Sequence, residues 1–105
     1  MPFVNTIVVR PEDIDQMGHV NNVIYLKYVQ DTAEAHWKSF ASLERQDQIL
    51  WVVLRHEIDY KKAAMEGESL TCTTWVEEAN GVKMPRIVEI RNEGRDLVAK
   101  ARTIW

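Results

Sequence analysis

Val23-Ile24-Tyr25-Leu26-Lys27-Tyr28-Val29-Gln30-Asp31-Thr32-Ala33-Glu34-Ala35-His36-Trp37-Lys38-Ser39-Phe40-Ala41-Ser42 is the stretch whose periodicity decides the architecture. Leu26, Val29, Ala33, Trp37 and Phe40 recur at three- and four-residue spacing, the period of an α-helix with one apolar face. Tyr25, Tyr28, Thr32 and Ala35 widen that face, so the helix is expected to be covered on more than one side. Asn21-Asn22 stand just before it, and asparagine favours the helix N-cap because its side-chain oxygen accepts from an unpaired backbone N–H.

Working outward, the flanking segments read as strands. Phe3 to Arg10 is rich in β-branched residues, and Pro11 ends it by removing a backbone donor. Downstream, Leu54, His56, Ile58 and Tyr60 alternate with Arg55, Glu57 and Asp59, as in a strand with one wet face. Leu70, Cys72, Thr74 and Val76 alternate next, and Asn80-Gly81 is a strong hairpin signal. Met84 to Arg91 follows, with Pro85 pointing to an edge or a bulge. Asn92-Glu93-Gly94 makes a turn before a last strand from Leu97 to Trp105. The expected order is one strand, one long helix, then four strands in a meander. This is an α+β domain with a single helix on an antiparallel sheet, one domain over residues 1–105.

Composition narrows the function. The chain has 105 residues, a net charge of -3 and scattered basic residues, with Lys61-Lys62 the only adjacent pair. A nucleic-acid partner would call for a basic field, so none is expected. No apolar run is long enough to span a bilayer, and Met1 to Arg10 lacks a signal pattern. The single cysteine, Cys72, cannot form an internal disulfide and reads as a small buried strand residue, so a cytoplasmic setting is expected. A domain this short gains from burying further surface in an oligomer.

Several site types are excluded by spacing. Ser39, Ser42 and Ser69 lack the glycines of a nucleophile elbow, and the four glycines are too isolated to cradle a phosphate. His19, His36 and His56 have no metal-ligand spacing with one another or with Cys72. His56 reads as a core or interface histidine, and His36 as packing or surface. The informative stretch is Asp13-Ile14-Asp15-Gln16-Met17-Gly18-His19-Val20-Asn21-Asn22, two carboxylates and a glycine turn just before a helix start. Helix N-termini present unpaired N–H groups and partial positive charge, which can hold the oxyanion of a tetrahedral intermediate. A neighbouring carboxylate can activate water or attack a carbonyl directly. The same residues also suit a plain capping loop, and by themselves leave both readings open.

The stretch Asp13 to Asn22 with Tyr25-Leu26 closely resembles the D-x-D-x-x-G-H-V-N-N-x-x-Y-L signature of 4-hydroxybenzoyl-CoA thioesterase-like hotdog proteins. Asp59-Tyr60 with Ala63-Ala64 resembles that family's D-Y-x-x-P-A segment, with Ala63 in place of the proline. The resemblance implies a hotdog fold, one long helix wrapped by a five-stranded antiparallel sheet. It implies hydrolysis of a fatty or aromatic acyl-CoA thioester with no cofactor beyond the coenzyme A of the substrate, and no metal.

By the same resemblance, Asp13 is the catalytic carboxylate, and Gly18, His19 and Val20 supply the backbone donors. Asn21, Asn22 and Tyr25 touch substrate or support the loop, and Asp15 supports the loop. A homodimer or dimer of dimers is implied, with sites between subunits. Lys61, Lys83 and Arg86 are candidates for contacts with coenzyme A phosphates. Relatives continue beyond the point where Trp105 stands, so a shortened last strand is expected. A hotdog dehydratase or hydratase, and a non-catalytic acyl-binding or assembly protein, are the competing readings.

Overall fold

The computed structural model describes residues 2–48, 53–77 and 83–105. Strand β1 (Phe3–Val8) is followed by a 3-10 turn at Pro11–Asp13 and the long helix α1 (Asn22–Phe40). A short helix α2 (Leu43–Gln48), not expected from the periodicity, precedes β2 (Arg55–Tyr60), β3 (Ser69–Val76), β4 (Pro85–Arg91) and β5 (Leu97–Ile104). The five strands form one sheet in the order β1-β3-β4-β5-β2, every neighbouring pair antiparallel. Among the described residues no helix is long and apolar enough to cross a membrane.

Two expectations need correction. Only β3, β4 and β5 form a meander, because β2 pairs with β5 on the far edge. The link from β2 to β3 is not a tight turn. It carries the fully buried Ala64, whose N–H donates to the Tyr25 hydroxyl (3.2 Å) and whose carbonyl accepts from Val20 N–H (2.9 Å). That link runs beneath the start of α1, which separates the two strands it joins. Alternation reveals that a strand exists and which face is wet, but not which strand lies beside it.

The second correction concerns β4, which is the central strand and not an edge. Pro85 is tolerated because it is the first residue of the strand, and the register shift falls at the other end, between Ile90 and Arg91. The hairpin read at Asn80-Gly81 lies outside the described residues, although β3 and β4 pair antiparallel as it requires. At the 92–96 turn the left-handed residue is Arg95 (φ 67°), not Gly94.

The helix begins where its cap predicts, with Asn21 Oδ1 accepting from Val23 N–H at 3.0 Å. Its buried stripe is Tyr25, Tyr28, Val29, Thr32 and Ala33, rotated from the expected face. Phe40 is 63% exposed, since α1 packs on β1 and β3 and its last turn overhangs them. The core beneath comprises Leu70, Cys72, Val88, Ile90, Val98, Ala99 and Ala101 with Tyr25, Tyr28 and Val29. Each large side chain fully buried there contributes roughly 1.5–3 kcal/mol of transfer free energy. Cys72 is buried as expected, and burial pushes its thiol up to about 11.

Candidate active site at the start of the long helix

The loop between the 3-10 turn and α1 is a miniature hairpin. Ile14 and Val20 form an isolated antiparallel bridge, flanked by Asn21 N–H donating to the Asp13 carbonyl (2.9 Å) and Asp15 N–H to the His19 carbonyl (2.8 Å). Gly18 closes the turn at φ +82°, a left-handed conformation that disfavours any side chain. Ile14 is extended, with φ -93° and ψ 135°. Asp13 belongs to the 3-10 turn and not to the extended segment that follows, so the period of two along a strand does not relate its side chain to that of Asp15. What each touches is decided by the hairpin's turn and by the helix behind it.

Asp13, the catalytic carboxylate by resemblance, is 4% exposed, because Tyr28 from the second turn of α1 closes over it. Its Oδ2 accepts the Tyr28 hydroxyl at 2.7 Å and the Arg10 N–H at 3.3 Å. Burial, and then the bonded Asp13, holds the Tyr28 phenol well above its ordinary value. Asp15 is the carboxylate at the surface of the cleft. Its Oδ1 accepts from Met17 N–H (2.9 Å) and, at greater length, from His19 N–H (3.4 Å), so it supports the loop as well.

The cleft is open, about 280 Å³ in volume, and lined by Asp15, His19, Val20, Asn22, Tyr25, Tyr60, Lys61, Lys62 and Ala63. The backbone donors expected at Gly18 and Val20 are engaged, with the Asp15 and Ala64 carbonyls (3.1 and 2.9 Å). That of His19 is turned toward Asp15 Oδ1. These groups are used in closing the loop's hairpin and in tying it to the link between β2 and β3. The N–H of Asn22, the first residue of α1, has no acceptor among the described residues. Asn21 is the cap, and Tyr25 supports the loop through Ala64.

Tyr60 was not singled out by its spacing, yet it forms one wall. Its hydroxyl donates to the Asn22 carbonyl at 3.3 Å and its ring leans on Tyr25 at 5.6 Å between centroids. The signals available in the sequence were its place at the inward end of the β2 alternation and the resemblance carried by Asp59-Tyr60.

Of the three candidate phosphate contacts, only Lys61 lines the cleft. Its neighbour Lys62 also lines it but is bound to Asp96 at 2.7 Å. Lys83 is not part of the cleft, and Arg86 is 6% exposed beneath α1. Arg86 sits on the helix-facing side of β4, in register with Val76 and Thr103. Its Nη1 donates to Thr74 Oγ1 (3.0 Å) and to His36 Nδ1 (2.8 Å). It is therefore a core residue. His36 is held below its usual range by burial and then by the Arg86 charge, which keeps Nδ1 as an acceptor. His56, bonded to Thr103 Oγ1 at 2.8 Å, is lowered by burial.

A single long helix on a five-stranded antiparallel sheet, with a motif loop and a cleft at the helix start, defines the hotdog class. The sequence profile of the thioesterase-like superfamily matches residues 9–104, and the chain belongs to that family. It is 29% identical over 99 residues to the long-chain acyl-CoA thioesterase FadM of Escherichia coli (strain K12), covering 85% of this chain and 70% of that protein. It is 32% identical over 99 residues to YneP of Bacillus subtilis (strain 168), which is itself named only provisionally as an acyl-CoA thioesterase. That match covers 90% of this chain and 71% of YneP. The fold matches the crystal structure of a 1,4-dihydroxy-2-naphthoyl-CoA thioesterase from Synechocystis with a TM-score of 0.89 at 22% identity, covering 99% of this chain and 80% of that one.

Proposed function

We propose that this protein hydrolyses acyl thioesters of coenzyme A, with Asp15 as the working carboxylate and the Asn22 N–H as the group that polarises the carbonyl. The observation that carries this reading is that one cleft is lined both by the half-buried carboxylate of Asp15 and by Asn22, whose N–H has no acceptor among the described residues. A thioester carbonyl facing Asn22 meets a donor reinforced by the positive end of a helix 19 residues long. Asp15 then either takes a proton from an attacking water or attacks the carbonyl carbon itself. In both routes negative charge collects on the carbonyl oxygen beside Asn22, and collapse of the tetrahedral species expels the coenzyme A thiolate; in the second route water then hydrolyses the acyl–Asp15 anhydride, releasing the acid and restoring the carboxylate.

The motif resemblance gives this role to Asp13; its burial, and its absence from the residues that line the cleft, support Asp15 in its place. Lys61, without an ion-pair partner among the described residues, suits a contact with the coenzyme A phosphates. The acyl group is fatty or aromatic, as for the relatives named above. A homodimer, or a dimer of dimers, in the cytoplasm is part of the proposal. The oligomer is supported by the edge position of β2 and by the exposure of Tyr60 at its end and of Leu54 just before it.

The test is thiol release from a panel of fatty and aromatic acyl-CoAs. Turnover that survives in wild type and disappears in Asp15→Asn is the expected result. Acyl-CoA binding without thiol release would refute hydrolysis.

A further inference from the structure

The buried pair of Asp13 and Tyr28 takes no part in the chemistry proposed above, although it lies within the motif loop. Asp13 Oδ2 receives the Tyr28 hydroxyl at 2.7 Å and the Arg10 N–H at 3.3 Å, and both side chains are almost wholly enclosed. The Asp13 carbonyl also accepts Asn21 N–H at 2.9 Å. Asp13 therefore grips α1 at two heights, at its cap through the backbone and in its second turn through the carboxylate.

The contact extends toward the cleft through aromatic rings. Tyr28 meets Tyr25 edge-on at 6.0 Å and 88°, and Tyr25 in turn supports Tyr60, whose hydroxyl holds the Asn22 carbonyl. Asn22 is the residue whose N–H is to polarise the substrate, and Asp15 is two residues along from Asp13. Any slip of α1 relative to the loop changes the distance between those two groups. A displacement of about 1 Å in such a constellation can cost roughly 100-fold in rate.

Resting on the reading of the cleft as a thioesterase site, we infer that Asp13 is a positioning residue. With Tyr28 it fixes the start of α1 against the loop that carries Asp15, and it does not touch substrate. A buried hydrogen bond suits this task, since Tyr28 without Asp13 is left with a buried hydroxyl and Asp13 without Tyr28 keeps only the longer bond from Arg10 N–H. The phenol reaches the carboxylate only when helix and loop are in register.

The experiment compares full-length Asp13→Asn, Tyr28→Phe and the double variant with wild type and Asp15→Asn. It measures kcat and KM on an acyl-CoA that wild type hydrolyses, the pH profile of kcat/KM, and thermal unfolding. Tyr28→Phe keeps the ring and serves if Asp13→Asn folds poorly. Each single variant is expected to lower kcat roughly 10- to 100-fold with KM within about twofold, and to keep the acid limb of the pH profile where wild type has it. The double variant is expected to be no slower than the slower single, because the two side chains act through one contact.

Loss of the acid limb in Asp13→Asn, with Tyr28→Phe unimpaired, would make Asp13 itself the base and overturn the inference. Single variants that melt earlier at unchanged kcat would overturn it too, leaving the pair a matter of stability alone. A wild type that releases no thiol overturns the cleft reading and the inference with it. An active wild type whose two losses multiply overturns the inference alone.

Discussion

Replacing Asn22 with proline isolates the backbone N–H on which the proposed chemistry depends. Asn22 is the first residue of α1, the helical position where proline is best tolerated, because the N–H it lacks has no helical partner there. The residue before a proline must be extended, and Asn21 already has φ -61° and ψ 135°. The Asn22 carbonyl, which receives the Tyr60 hydroxyl, is kept. Folding should therefore be neutral, or gain up to about 1 kcal/mol from a stiffer unfolded chain.

Catalysis should behave differently. Loss of one oxyanion donor costs roughly 100- to 1,000-fold in kcat, about 2.7–4 kcal/mol of transition-state stabilisation. Asn22→Ala, which loses the side chain but keeps the N–H, is the control. Thiol release from acyl-CoA gives kcat, and thermal unfolding gives stability. If Asn22→Pro turns over as fast as Asn22→Ala, the Asn22 N–H does not polarise the carbonyl and the mechanism is wrong. Equal losses in both variants would point to the side chain instead.

Three further outcomes are expected. Asp15→Asn preserves an oxygen for Met17 N–H, so it should melt near wild type while kcat/KM falls roughly 100- to 10,000-fold, measured by thiol release. Acid should destabilise the fold through His36 and His56, whose values are lowered by burial below the ordinary 6.5. The unfolded chain then binds protons first, so stability is greatest above that pH and declines as pH falls through it toward the folded values; unfolding scans from pH 8 to 5 test this, and His36→Gln with His56→Gln should flatten the slope. Cys72, fully buried with its thiol raised to about 11, should resist a thiol reagent in the native protein and react promptly in denaturant, which a timed labelling experiment checks.

Local chemistry made much of this protein legible. The three- and four-residue spacing after Asn22 can only be one amphipathic helix, and strict alternation from Leu54 onward can only be strands. The Asp13–Asn22 motif located the loop, and Asn21 announced the helix start through the bond that its own side chain makes. These features depend on neighbours a few residues apart, so sequence spacing is the physical variable that governs them.

Tertiary structure decided the rest. That β2 lies beyond β5 depends on Ala64 being spent on Tyr25 and Val20, contacts that link residues about forty apart along the chain. Arg86 looked like a surface cation because arginine usually is one, but the strand register turned it inward under His36. The two carboxylates of the motif are chemically identical on paper. What separates them is Tyr28, which comes down from α1 to enclose Asp13 and leaves Asp15 at the cleft, because only the packed helix can decide which side of the loop is inside.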